Sequence, residues 1–154
     1  MPTRTRPTAA ALLLAAVGLA GCVDTGPTTA YCGPAEPVLA PAAVGPGDEL
    51  RVEVAGAAVV DGCEQRLPDR ARYEIRLTSE RTAEGSADGP YTATLGVLEP
   101  GADGGAVGTV RLPDDVPPGV VEVSVDLTGA ETICEIDPTM QCARDPFASI
   151  DVTA

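Results

Sequence analysis

The segment Val121-Glu122-Val123-Ser124-Val125-Asp126-Leu127 alternates strictly between apolar and polar residues, and that alternation limits the architectures open to the chain. A two-residue period places all four apolar side chains on one face of an extended strand, whereas a helix would scatter them around its axis. Glu49-Leu50-Arg51-Val52-Glu53-Val54 and Arg72-Tyr73-Glu74-Ile75-Arg76-Leu77 repeat the pattern. Each reads as a half-buried antiparallel strand with Leu50, Val52 and Val54, or Tyr73, Ile75 and Leu77, turned inward. Weaker signals complete the set. Residues 38–42 read as an edge strand, because the flanking prolines deny ladder bonds. Residues 91–98 and 106–112 read as a hairpin closed by Pro100-Gly101-Ala102-Asp103-Gly104-Gly105, and 149–152 as a last strand. No ten-residue stretch has helical spacing. About seven short strands separated by turns predict an all-β antiparallel sandwich.

Composition says what such a sandwich must be built from. The chain of 154 residues has no Trp and no His, and its only aromatic residues are Tyr31, Tyr73, Tyr91 and Phe147. The core therefore rests on Val, Leu, Ile and Ala, each of which buries less surface than a ring, so crosslinks gain value. Four of the five cysteines, Cys32, Cys63, Cys134 and Cys142, suit two disulfides in an exported domain. Three connectivities are open; the favoured one is Cys32–Cys63 with Cys134–Cys142, worth about 3.5 and about 2.5 kcal/mol in the chain-entropy model. A zinc site is excluded by the missing histidine and the absence of any Cys-x-x-Cys.

The fifth cysteine has a different setting. Arg4 and Arg6 precede an apolar run of residues 9–20 that ends in Leu19-Ala20-Gly21-Cys22. A positive start, a short apolar stretch and small residues form an export signal, and the run is too short to cross a bilayer, which takes about 20 residues. Leu19-Ala20-Gly21-Cys22 resembles the lipobox of bacterial lipoproteins. The resemblance implies that the chain is cut after Gly21 and that Cys22 carries a diacylglyceryl anchor. Residues 1–21 are then a signal peptide, 22–36 a lipidated cysteine with a short tether, and 37–154 the folded domain. Fully extended, the tether from Cys22 to Tyr31 reaches roughly 35 Å, which keeps the domain near the membrane on the extracytoplasmic side.

A second resemblance concerns the fold. Val38-Leu39-Ala40-Pro41-Ala42-Ala43-Val44-Gly45-Pro46-Gly47-Asp48-Glu49-Leu50-Arg51-Val52-Glu53-Val54 is similar to the opening of secreted bacterial immunoglobulin-like domains. Leu112-Pro113-Asp114-Asp115-Val116-Pro117-Pro118-Gly119-Val120-Val121-Glu122-Val123 is similar to their later corner. The resemblance implies an immunoglobulin-like β-sandwich, in which all four domain cysteines sit at the end near the anchor. The turns at 45–48 and 114–119 then face the other way.

Charge and residue types narrow the function. Ten basic residues, all Arg, stand against 23 acidic ones for a net charge of −13. Such a chain lacks the basic footprint of a nucleic-acid binder. Without His or Lys there is no imidazole base and no amine nucleophile, and no Gly-rich phosphate loop is present. The remaining catalytic candidates are carboxylates: Asp114-Asp115 and the group Asp61, Glu64 and Asp69. An adjacent pair in a proline-rich turn diverges into water, so the chain reads as a non-enzyme without a cofactor. Residues 128–146 make a connection longer than a hairpin needs, and Ile136 and Met140 within it either cap the core or form a partner contact. The expected role is non-catalytic binding or bracing of another envelope component, an envelope protein or the cell wall. A calcium- or small-ligand-binding module is the alternative. For calcium, Asp61, Glu64, Glu131, Glu135 and Asp137 would supply the oxygens.

Overall fold

A computed structural model of the chain describes residues 28–80, 89–137, 139 and 145–154. Among the described residues it is mostly β. The strands are β1 (Val38–Ala40), β2 (Ala43–Val44), β3 (Glu49–Val54), β4 (Arg72–Ser79), β5 (Tyr91–Leu98), β6 (Ala106–Arg111), β7 (Gly119–Thr128) and β8 (Phe147–Val152). A four-residue helix, α1 (Ile133–Ile136), lies between β7 and β8. The strands form a three-stranded sheet in the order β1-β3-β6 and a five-stranded sheet in the order β2-β8-β7-β4-β5. Neighbours are antiparallel except for β2 and β8, which run parallel. Among these residues no helix is long and apolar enough to cross a membrane.

The alternating segments supply the core as their periodicity requires. Leu50, Val52 and Val54 of β3 are buried with Tyr73, Ile75 and Leu77 of β4 and Val121, Val123 and Val125 of β7. Ile150 and Val152 of β8 and Ala106 and Val110 of β6 join the same cluster. Burial of a Val, Leu or Ile side chain contributes about 1.5–3 kcal/mol, so these facing rows hold the two sheets together. Tyr73 is the one aromatic side chain that is fully buried.

Three details differ from the sequence reading. The expected edge strand at 38–42 ends at Ala40 as β1, paired with β3, and a second strand, β2, follows it and pairs with β8 on the other sheet. Pro41, whose peptide bond to Ala40 is cis, has no N–H for a ladder, so pairing stops there and resumes on the opposite sheet. The expected hairpin of 91–98 with 106–112 does not form. β5 pairs with β4 and β6 with β3, in different sheets. Gly101 N–H donates to Gly105 O and Gly104 N–H to Gly101 O, so the Gly-rich turn closes on itself and carries the chain across the sandwich. The contact between β5 and β6 is through side chains, with glycine making room. A Cβ on Gly108 would fall 2.3 Å from Leu98 Cδ2, and one on Gly96 would fall 3.3 Å from Val110 Cγ1. Finally, the chain is not wholly β, since Thr132 and Glu135 close a capping box around α1.

The turn after β7 depends on a glycine. Gly129 has φ +76°, and a Cβ there would lie 2.3 Å from the carbonyl oxygen of Arg70. Gly89 has a similar φ of +70° but open space around it. Gly129→Ala is expected to lower unfolding stability by about 2–4 kcal/mol, from backbone strain plus a backbone clash. Gly89→Ala bears the strain alone and is expected to cost about 1 kcal/mol. Urea denaturation of the two variants checks the difference.

Candidate functional site

One end of the sandwich gathers residues 30–35, 55–71, 99–105 and 129–137, brought together from across the sequence. Tyr31 is the seam. It forms parallel bridges with both Glu64 and Thr132; its N–H donates to Glu131 O, and its carbonyl accepts from Ile133 N–H. Beside it, Glu64 N–H donates to Ala30 O, Ala58 N–H to Gly33 O and Ala35 N–H to Gly56 O. The stretch expected as the distal part of a tether is therefore bonded to the domain from Ala30 onward.

The disulfide Cys32–Cys63 locks this seam with a Cα separation of 4.9 Å, and Cys32 is fully buried. It is the one disulfide seen among the described residues, not two. Cys134, in α1, is not a free thiol. The expected pair Cys134–Cys142 ends at a residue outside the described ones. Met140 and the lipobox residues Leu19, Ala20, Gly21 and Cys22 also lie outside them.

Tyr73 ties the Gly-rich turn to the core. Its hydroxyl donates a buried 2.9 Å hydrogen bond to Gly104 O. Ala57 N–H donates to Asp103 O, and Leu67 N–H to Ala102 O, so the same turn is stitched to the 55–71 loop. Burial, aided by the negative charge of Asp103, pushes the Tyr73 phenol up to about 12. At the opposite end, Gly45 N–H donates to Asp48 Oδ2 and Leu112 N–H to Asp48 O, so the 45–48 and 113–118 turns meet there. That polarity agrees with the sequence expectation.

Of the acidic residues proposed for calcium or catalysis, Asp61, Asp69 and Glu131 are exposed, and five others have separate local partners. Glu64 Oε1 accepts from Arg66 N–H, and Glu135 Oε2 accepts from the N–H and hydroxyl of Thr132. Asp137 Oδ1 accepts from the N–H and hydroxyl of Thr139, which hold its carboxyl below the ordinary range. Asp115 Oδ1 accepts from the Tyr91 hydroxyl at 2.8 Å, whereas the Asp114 carboxylate faces Arg111 at 3.8 Å. Burial and the Asp115 contact push the Tyr91 phenol up to about 12. Among the described residues no three of the acidic or Cys side chains are grouped so as to hold a metal ion. Two open recesses flank the Tyr31 seam. One, of about 690 Å³, is bordered by Thr28, Tyr31, Arg70 and Glu131. The other, of about 590 Å³, is bordered by Cys63, Gln65, Arg66 and Asp103. In the first, Arg70 Nε donates to Gly129 O at 2.7 Å, which commits its guanidinium to the turn.

Two surface features escaped the sequence reading. On the outer face of the five-stranded sheet, Arg76 Nε bonds Glu74 Oε1 at 2.6 Å and Asp126 Oδ2 at 3.0 Å. Partial burial raises the Asp126 carboxyl against the pull of Arg76, and Asp145 and Glu74 raise it further. The register Glu74↔Asp126 creates this group, and pairing partners are not marked in either segment alone. The second feature is apolar. Val59 is 65% and Val60 44% exposed, in a loop whose sequence carries no periodic signal. Ile136 is also exposed, at 36%, so it does not cap the core.

Comparison with protein-family models, curated proteins and solved structures gave no match.

The Cys32→Ser/Cys63→Ser double variant is expected to lose about 3.5 kcal/mol of stability, measured by chemical denaturation without reductant. Tyr73→Phe leaves Gly104 O buried without its donor and should cost about 1–2 kcal/mol. The phenol also sets a pH window. Its folded pKa lies above the unfolded value of 10.0, so its contribution is complete below pH 10 and is lost as pH rises toward 12. A melting series over that range should fall less steeply for Tyr73→Phe than for the parent chain.

Proposed function

We propose that the chain is a lipid-anchored module of the cell envelope, held by an acylated Cys22 outside the cytoplasmic membrane, that binds or braces another envelope component without catalysis. The observation that carries this reading is Leu19-Ala20-Gly21-Cys22 at the end of a short apolar run behind Arg4 and Arg6. Two acyl chains on one cysteine hold a protein stably, whereas one gives marginal binding.

The domain is read as an immunoglobulin-like sandwich. Support comes from the strand connectivity, a first strand divided between two sheets and a β1-β3-β6 sheet facing β2-β8-β7-β4-β5, together with the Pro-Gly turns of the resembling segments. A non-catalytic role is supported by the lack of His and Lys and by the separate hydrogen bonds that occupy Glu64, Asp115, Glu135 and Asp137. Exposed Ile136 beside the Tyr31 seam supports a partner contact from the 128–146 connection.

Metabolic labelling of the full chain with an alkyne fatty acid tests the anchor. The parent is expected to take up label and partition into detergent, and Cys22→Ala to do neither. Equal labelling of the two would overturn the reading. Crosslinking in intact cells with the same pair identifies the partner, expected as one dominant species that disappears with the anchor.

A further inference from the structure

We propose that the loop tip carrying Val59 and Val60 dips into the surface of the bilayer to which Cys22 is attached, so that the domain rests on the membrane in one orientation. This inference rests on the lipid-anchor reading above.

Val59 and Val60 are consecutive and exposed, yet the loop that presents them is not slack. Ala57 N–H is bonded to Asp103 O, Ala58 N–H to Gly33 O and Cys63 N–H to Val60 O, and the Cys32–Cys63 disulfide closes the base. The tip is thus preorganised, with its apolar side chains outside the core cluster. Exposed Ile136 belongs to the same end, since Ile133 N–H bonds Tyr31 O next to Cys32.

The chain leading to the anchor selects the occupant. Ala30 is the first of the described residues with a backbone bond to the 55–71 loop. The eight residues from there back to Cys22 reach at most about 28 Å. A lipid surface is therefore always within reach of this end, and a weak apolar contact gains from the high effective concentration that a short tether imposes. The opposite end, with the 45–48 and 113–118 turns, lies at the far side of the strands. Asp61 directly follows the tip, and Glu64, Glu131 and Glu135 are exposed at the same end. Their charge restricts the contact to a shallow one, with the valines at the headgroup boundary and the carboxylates in water, and it favours zwitterionic over anionic lipid.

The chain has no tryptophan, so a single introduced indole reports its own depth. Val59→Trp and Val60→Trp are made separately in the full, processed chain, with Val120→Trp, 64% exposed on β7 at the far end, as the reference. Each is reconstituted in phosphatidylcholine vesicles with and without brominated acyl chains, after the mass of Cys22 has been determined. The tip variants are expected to show blue-shifted emission, with brominated lipid quenching them about twofold or more relative to Val120→Trp, as befits a side chain at the acyl boundary. If Cys22 is acylated and either tip variant that folds is quenched no more than Val120→Trp, the inference fails and the anchor reading stands. If Cys22 is unmodified, both fail.

Discussion

Everything in this molecule depends on two facing rows of branched aliphatic side chains. Leu50, Val52 and Val54 on one sheet meet Ile75, Leu77, Val121, Val123 and Val125 on the other, and only one ring, Tyr73, is fully buried with them. Such a core has little aromatic mass to hold its periphery. Connections at the ends must then be secured by other means: a disulfide between Cys32 and Cys63, a buried tyrosine hydroxyl on Gly104 O, and a close glycine approach at Gly129.

These fastenings fall at one end. The 30–35 stretch adds itself to the loops around Tyr31, whose N–H and carbonyl bond Glu131 and Ile133, while its neighbours Ala30 and Cys32 bond Glu64. A small domain gains from this arrangement, because the crosslink reduces the freedom of the unfolded chain while the backbone bonds order a loop that would otherwise be loose. The result is a stiff end next to the segment leading to Cys22 and a separate end closed by the Asp48 turn. On the reading proposed above, this polarity puts the Ile136 contact and the segment leading to the anchor at the same end.

Much of the strand content was legible before any coordinates. Leu50, Val52, Val54, Tyr73, Ile75, Leu77, Val121, Val123, Val125 and Leu127 were assigned inward from alternation alone; all are buried except Leu127, which is half-buried against the same core. An even set of cysteines left three connectivities open, and the favoured Cys32–Cys63 pairing is the one the structure forms. The candidate site was less so. Glu64, Glu135 and Asp137 were grouped because their loops share an end, yet each is committed to a different N–H or hydroxyl nearby. Loop proximity does not specify where a carboxylate points. Val59 and Val60 carried no signal, since two apolar residues in a nonperiodic loop look the same whether they are buried or exposed.

The sequence by itself determined the faces of the strands, because a two-residue period is a local property of each segment. It also determined the acidic surface, the aliphatic core and the lipobox-like motif. Only the tertiary structure decided the pairing partners. The assignment of β5 to β4 and β6 to β3, the change of sheet at Pro41 and the gathering of Glu74 and Asp126 around Arg76 all depend on contacts between distant segments. A strand's alternation shows which side it buries. Which neighbour completes its hydrogen bonds is decided only when the whole core closes.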